Sequence, residues 1–196
     1  MTNKSVILIL AAGEASRMGR VKQLLTFGGK SLLQRSIENA QATGLPVIVV
    51  LGAYGAQTRP LVERYSVKYV INENWRIGIS TSIHAGLTQA IEHFPDLTGV
   101  LITLVDQPQI TSDHLNSILK SAANKFEMVV TEYEGVKGVP AYYPKKYFEQ
   151  LKKLKGDTGA AVLIKKWSKY VVSLPFPAAA LDIDTEQDWK DFIERS

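Results

Sequence analysis

The chain has 196 residues, 45% hydrophobic and 21% charged, with a formal net charge of +4 and no cysteine. These numbers predict one globular domain over residues 1–196 and exclude disulfides, thiolate metal sites and cysteine nucleophiles. No run reaches the ~18 apolar residues of a membrane span, and residues 1–5 do not resemble a signal peptide, so we expect a cytoplasmic protein without membrane contact. The lysines lack the interleaved aromatic residues of a nucleic-acid groove, so we expect no contact with nucleic acid.

Apolar runs of strand length alternate with helical patterns along the chain. Continuous aliphatic runs at 6–10, 47–51 and 100–105 are typical of strands buried on both faces of a parallel sheet. Further elements are predicted as strands at 68–71, 127–133, 141–143 and 170–174 and as helices at 31–43, 56–65, 80–94, 112–124, 145–153, 158–167 and from 185 onward. This alternation predicts an α/β fold, a three-layer α/β/α sandwich around a mainly parallel mixed sheet.

A glycine-bearing loop follows the first strand, at a position where α/β proteins often bind nucleotides. It does not fit the dinucleotide fingerprint, because Gly13 is followed by Gly19 without the intermediate glycine. The segment 29–31, Gly-Lys-Ser, lacks the upstream glycine of a P-loop. The loop therefore belongs to neither of these common classes.

Two cations flank Gly19 in this loop. Arg17 can fork onto phosphate oxygens, and Lys22 can act as a mobile point charge, so both suit a triphosphate. The alternative is a surface loop with incidental basic residues. Small side chains that could lie beside a base or a ribose precede them, at Leu10, Ala11, Ala12 and Gly13.

Residues 10–25 read Leu-Ala-Ala-Gly-x-x-x-Arg-Met-Gly-x-x-Lys-x-Leu-Leu, which resembles the signature of nucleotidyltransferases with a glycosyltransferase-A-type (GT-A-like) fold. The following Gly-Gly-Lys-Ser-Leu-Leu at 28–33 resembles the Gly-x-x-Leu-Leu segment found after that signature. Within the superfamily the chain resembles the molybdenum cofactor cytidylyltransferases (MobA-like NTP transferases) over essentially its whole length. The related guanylyltransferases usually have Ala-Gly-Gly where this chain has Ala-Ala-Gly at 11–13.

The resemblance implies an enzyme that moves a nucleoside monophosphate, CMP from CTP, to a phosphorylated acceptor such as molybdopterin and releases pyrophosphate. It implies Mg²⁺ or Mn²⁺ as cofactor, with Arg17 and Lys22 on the β and γ phosphates. Alternatives are GTP with the same acceptor, another NTP with a sugar or small phosphate, and a non-catalytic nucleotide-binding accessory protein. Contact with a molybdoenzyme or with a second copy of the chain stays open.

Asp106 is the first candidate metal ligand. Phosphoryl-type transfer needs a divalent cation, and magnesium prefers one or two carboxylates besides phosphate oxygens and water. Asp106 ends an apolar strand at the edge of the sheet where ligands bind, and it lies within Asp-Gln-Pro, which resembles the Asp-x-Pro metal motif of the family. The alternative is a turn or capping aspartate.

The second candidate ligand lies in the segment 182–188, which resembles Asp-Ile-Asp-Thr-Pro-Glu-Asp of the family but has Glu186 where proline is common. In an extended segment Asp182 and Asp184 share one face, and we favour Asp182 as the ligand. Thr185 and Asp188 can instead cap the last helix, which gives this segment a structural alternative.

Residues 78–87 resemble the family's Gly-x-x-x-Ser-x-x-x-Gly-Leu stretch. That likeness implies close backbone approach to the nucleotide at Gly78 and a hydrogen bond to the base or ribose from Ser82, whereas the alternative is a plain helix start capped by Ser80. Segments 138–140 and 156–159 resemble acceptor-side motifs but lack the polar residue and the arginine that relatives often carry. The three histidines form no metal or catalytic pattern and are interpreted as structural: His84, His93 and His114.

Overall fold

The computed structural model describes residues 4–15, 17–123 and 127–195. Ser16 of the glycine-bearing loop, Asn124 at the end of a predicted helix and residues 1–3 of the N-terminal segment lie outside these ranges. None of the helices within them combines the length and apolarity that a membrane crossing requires.

Seven of the nine strands in the described ranges form one mixed sheet, and two short strands form a hairpin. The strands are β1 (Ser5–Ala11), β2 (Thr26–Phe27), β3 (Lys30–Ser31), β4 (Val47–Leu51), β5 (Lys68–Ile71), β6 (Gly99–Leu104), β7 (Met128–Tyr133), β8 (Val136–Pro144) and β9 (Val171–Pro175). The order across the sheet is β5-β4-β1-β6-β8-β7-β9. β8 alone runs against its neighbours, so the sheet is mainly parallel.

Helices cover both faces of this sheet. They are α1 (Leu32–Gln41), α2 (Gly55–Val62), α3 (Ile79–His93), α4 (Ser112–Ala123), α5 (Phe148–Leu151), α6 (Ala161–Lys166) and α7 (Glu186–Arg195). Side chains alternate along β1, so Ile7 packs with α1, α4 and α7 on one face, whereas Leu8 packs with α3, α5 and α6 on the other. Both residues are 0% exposed. The predicted three-layer α/β/α sandwich is thereby confirmed.

Reciprocal side-chain caps begin two of the helices, as predicted for the last one. Ser31 and Gln34 form a reciprocal capping box at the start of α1, and Thr185 and Asp188 form the equivalent pair at α7. Gly44 has the left-handed φ of +76° that ends the α1 region. The last helix therefore begins where its capping residues predict.

Three local predictions are wrong or incomplete. The strand predicted at 141–143 extends over the nine residues of β8, because pairing with β6 on one side and β7 on the other overrides the breaking signals of Gly138 and Pro140. The helices predicted at 145–153 and 158–167 shrink to a 3₁₀ turn followed by α5, and to α6. The β2–β3 hairpin was not predicted, although its two glycines, with φ of +55° and +78°, suit a two-residue turn.

Candidate functional site

A cleft of about 620 Å³ opens beside the carboxyl ends of β1 and β6. This is the edge at which parallel α/β sheets bind ligands. Ten of the eleven predicted site residues line it: Leu10, Ala11, Ala12, Gly13, Arg17, Lys22, Gly78, Ser82, Asp106 and Asp184. Asp182 lies outside the lining. The fold thus brings together residues that are far apart in sequence, and their individual roles stay predictions.

The backbone of the loop after β1 is fixed by hydrogen bonds from Gln23, a residue that sequence reasoning did not select. Its Nε2 atom donates to the carbonyl oxygens of Ala11 and Gly13, both at 3.0 Å, and the residue is 1% exposed. The carbonyl oxygen of Ala12 accepts from the amide of Ala53 at 3.0 Å. The signal that the sequence offered was a polar residue between Lys22 and the two leucines of the motif.

The two predicted phosphate-binding cations are engaged by aspartates. Lys22 Nζ lies 2.9 Å from Asp106 Oδ2 and 2.9 Å from Asp184 Oδ1, and Arg17 Nη2 lies 2.9 Å from Asp184 Oδ2. Burial disfavours the charged ammonium group, but the two aspartates outweigh it and raise the pKa of Lys22. Burial likewise opposes ionisation of Asp184, yet Lys22 and Arg17 lower its pKa. Lys22 and Asp184 are therefore both charged at neutral pH.

The C-terminal segment is fixed to Asp106 through the backbone. The amide of Ile183 donates to the carbonyl oxygen of Asp106 at 2.9 Å, and the Ile183 side chain is 0% exposed. Of the two aspartates that flank Ile183, Asp184 lines the cleft and Asp182 does not. The pKa of Asp182 is raised to about 6, mainly because its carboxyl group is desolvated and secondly because Asp106 repels the charged form.

The carboxylates fit a divalent cation, with Asp106 as the better-supported ligand. Asp106 Oδ1 is buried and accepts no hydrogen bond, although Oδ2 of the same group is bound by Lys22. Such an orphaned anionic oxygen at the cleft suits a hard cation. Within the described ranges no three acidic or histidine side chains gather into a metal-binding cluster, so the three predicted aspartates do not converge on one point.

Gly78 joins the segment predicted on the nucleotide side to the one predicted on the acceptor side. Its φ is +125°, and a Cβ atom placed there would overlap with the carbonyl group of Gly156. The amide of Ser80 donates to the same carbonyl at 3.2 Å. The alternative interpretation, a helix start capped by Ser80, does not hold, because Ser80 is the second residue of α3 and the N-cap of that helix is Gly78. Close backbone packing, and no side-chain cap, sets this helix start.

Ser82 is positioned by Asn72, a second residue that sequence reasoning missed. Asn72 Nδ2 donates to Ser82 Oγ at 3.0 Å and to Thr81 Oγ1 at 2.8 Å. Asn72 is 5% exposed and Ser82 is 4% exposed. Since the Ser82 oxygen accepts, its own proton can be donated to a ligand in the cleft. An isolated asparagine after a strand gave no signal for this role.

The remaining acceptor-side segment lies near the aspartates. A Cβ atom at Gly138 would lie 2.8 Å from the hydroxyl oxygen of Tyr133. Burial, together with the charges of Asp182 and Asp106, raises the pKa of that hydroxyl. Segment 138–140 therefore lies against Tyr133, whereas segment 156–159 contributes Asp157 to the lining of the cleft.

Two of the histidines have structural contacts, as predicted. His84 Nε2 lies 3.1 Å from the carbonyl oxygen of Leu151. His114 stacks on Phe176 with ring centroids 4.1 Å apart, and its Nε2 lies 2.8 Å from Thr131 Oγ1. Burial lowers the pKa of His114 to about 4.

Comparisons with known proteins agree with this geometry. A family model described as MobA-like NTP transferase domain matches residues 7–171. The purine catabolism protein PucB of Bacillus subtilis (strain 168) is 29% identical over 202 residues, which cover 96% of this chain and 95% of PucB. The molybdenum cofactor cytidylyltransferase of Escherichia coli (strain K12) is 27% identical over 193 residues, with coverage of 96% and 95%.

A solved structure extends the comparison to metal. The structure of Rv0371C from Mycobacterium tuberculosis H37Rv in complex with manganese matches with a TM-score of 0.80 and 26% identity, over 98% of this chain and 100% of that one. This likeness supports the use of a divalent metal by the family.

Proposed function

Because the chain belongs to the MobA-like NTP transferase family, we propose that it is a cytoplasmic enzyme that transfers CMP from CTP to a phosphorylated acceptor such as molybdopterin. One observation carries the proposal: the loop after β1, Lys22 and Asp106 line a single cleft at the carboxyl edge of the sheet. The similarity to a cytidylyltransferase over 96% of the chain, and Ala-Ala-Gly at 11–13, favour CTP as donor.

In this proposal an oxygen of the acceptor phosphate attacks the α-phosphorus of CTP. The bond between that phosphorus and the bridging oxygen to the β-phosphate breaks, and pyrophosphate leaves. The attacking oxygen is already ionised, so no residue has to act as a strong general base. The contribution of the chain is therefore positioning and charge neutralisation.

The proposed roles follow the cleft from the base to the phosphates. Gly78 and Ser82 contact the base or ribose, the backbone of residues 11–13 lies along the nucleotide, and Arg17 and Lys22 bind the β and γ phosphates. Mg²⁺ or Mn²⁺, held by Asp106 with Asp182 or Asp184, would neutralise charge at the reacting phosphorus.

Pyrophosphate release with CTP, GTP and ATP, each with Mg²⁺ and a molybdopterin-type acceptor, tests the proposal. We expect release with CTP and a loss of about a thousandfold in Asp106→Asn, because several kcal/mol of charge stabilisation disappear. The matched control is Asp113→Asn, an exposed aspartate of α4 outside the cleft, which should retain full turnover.

Three results would count against the proposal. Full turnover in Asp106→Asn would show that Asp106 is not the metal ligand. Preference for GTP or ATP in the assay, or in calorimetric titrations, would replace CTP as donor. Tight nucleotide binding without pyrophosphate release from any acceptor tried would favour the non-catalytic accessory protein.

A further inference from the structure

Lys22 is the most enclosed of the cations in the cleft. Its side chain is 10% exposed, whereas that of Arg17 is 69% exposed. Its ammonium group lies between Asp106 and Asp184, with 2.9 Å to each carboxylate. Lys22 therefore neutralises the same carboxylates that fit a divalent cation.

The charged residues that line the cleft do not favour a triphosphate by themselves. The lining contains three cations, Arg17, Lys22 and Arg76, but four carboxylates: Glu14, Asp106, Asp157 and Asp184. One negative charge is in excess, although the whole chain carries a net charge of +4. A triphosphate that enters this cleft alone meets no surplus of positive charge.

Moving the Lys22 ammonium group away from the aspartates also costs free energy. Asp106 Oδ1 is already buried without a hydrogen bond, and departure of the ammonium group would leave both oxygens of Asp106 without a partner. The Asp106 side chain is only 21% exposed, so loss of its counterion is unfavourable. Another cation at Asp106 would offset this cost and free Lys22 to reach a phosphate.

We propose that Lys22 competes with a divalent cation for Asp106 and Asp184, and that this competition makes metal and nucleotide bind cooperatively. A lysine ammonium group on a flexible stem can exchange partners in this way. When the carboxylates are neutralised by metal, Lys22 turns to the triphosphate. Because coupling between two ligands is reciprocal, each raises the affinity for the other. The second part rests on the proposed nucleotide-binding function, whereas the competition for the aspartates does not.

Mn²⁺ binding in the absence of nucleotide, measured by electron paramagnetic resonance, tests the competition directly. We expect Lys22→Met to bind Mn²⁺ at least tenfold more tightly than wild type, because the competing cation is gone. Lys22→Arg keeps the charge and should bind Mn²⁺ as weakly as wild type. Arg20→Met removes one charge from the same loop, where Arg20 pairs with exposed Glu186, and should change the affinity less than twofold.

Unchanged or weaker Mn²⁺ binding in Lys22→Met, or an equal gain in Arg20→Met, would overturn the competition. If Lys22→Met does not fold, Lys22→Gln, which removes the charge but keeps a hydrogen-bond donor, supplies the same comparison. CTP chelates Mn²⁺ by itself, so CTP should tighten Mn²⁺ binding at least tenfold more in wild type than in the uncharged variant, and an equal gain in both would refute the coupling. If Lys22→Met gains Mn²⁺ affinity while the wild type binds no nucleotide, the proposed function fails but the competition stands.

Discussion

The two halves of the sheet hold their site residues in different ways. In the half formed by β5, β4, β1 and β6, the loop after β1 is fixed by Gln23, only 10 to 12 residues further along the chain. In the half formed by β8, β7 and β9, the segments beside the site are fixed by distant contacts, Ile183 to Asp106 and Gly156 to Ser80. Side-chain support for the loop after β1 therefore comes from a residue close by in sequence, whereas the segments predicted on the acceptor side are held by contacts that only the assembled fold provides.

Gly78→Ala breaks the contact between the halves and should have the largest effect. The new Cβ atom overlaps with the carbonyl group of Gly156, and alanine is strained at a φ of +125°. Strain and overpacking together predict a loss of about 4 kcal/mol in the free energy of unfolding. Nucleotide affinity should also fall at least about tenfold, since 1.4 kcal/mol already gives that factor. Denaturant unfolding and calorimetry measure the two effects.

Gly44→Ala is the matched control for this variant. Gly44 has a φ of +76°, but nothing lies within 4 Å of its Cβ position. It should lose only the left-handed strain of about 1–2 kcal/mol and should keep its nucleotide affinity. Equal stability losses in both variants would mean that the halves are not joined at Gly78.

His114 should make the second half of the sheet sensitive to acid. The Thr131 hydroxyl donates to the Pro140 carbonyl, so it accepts from Nε2 of neutral His114. Burial lowers the pKa of His114 from 6.5 to about 4. As pH falls through this window the unfolded chain binds the proton first, so stability decreases, by about 3 kcal/mol between pH 6.5 and pH 4. Chemical unfolding across this pH range measures the loss.

His114→Gln isolates this contribution from other titrating groups. The glutamine amide can still donate to Thr131 but binds no proton. The variant should therefore lose about 3 kcal/mol less than wild type between pH 6.5 and pH 4. Parallel pH profiles for the two proteins would show that His114 does not carry the acid sensitivity.

The same contrast explains what the sequence could reveal. The three long aliphatic runs became β1, β4 and β6, because burial on both faces leaves a continuous apolar pattern. The cleft residues of the glycine-bearing loop were selected because they form one contiguous motif. β8 was largely missed, since its glycine and proline signal breaks that only sheet pairing overrides. Asn72 was missed because a single asparagine after β5 forms no pattern that predicts its hydrogen bond to Ser82, ten residues further along the chain.

Gln23→Met tests the half of the sheet that carries the loop after β1, and it should have the smallest effect. Methionine keeps the buried volume but removes the donor shared by the carbonyl oxygens of Ala11 and Gly13. The two lost hydrogen bonds are worth about 2 kcal/mol together, so the less well fixed loop should bind CTP up to about thirtyfold more weakly. Gln57→Met, at an exposed position of α2, is the matched control and should bind CTP as wild type does. Since the contacts of the second half of the sheet are intact in Gln23→Met, the KM for the acceptor should not change. An equal rise in the KM values for CTP and for the acceptor would mean that the loop and the second half of the sheet do not act independently.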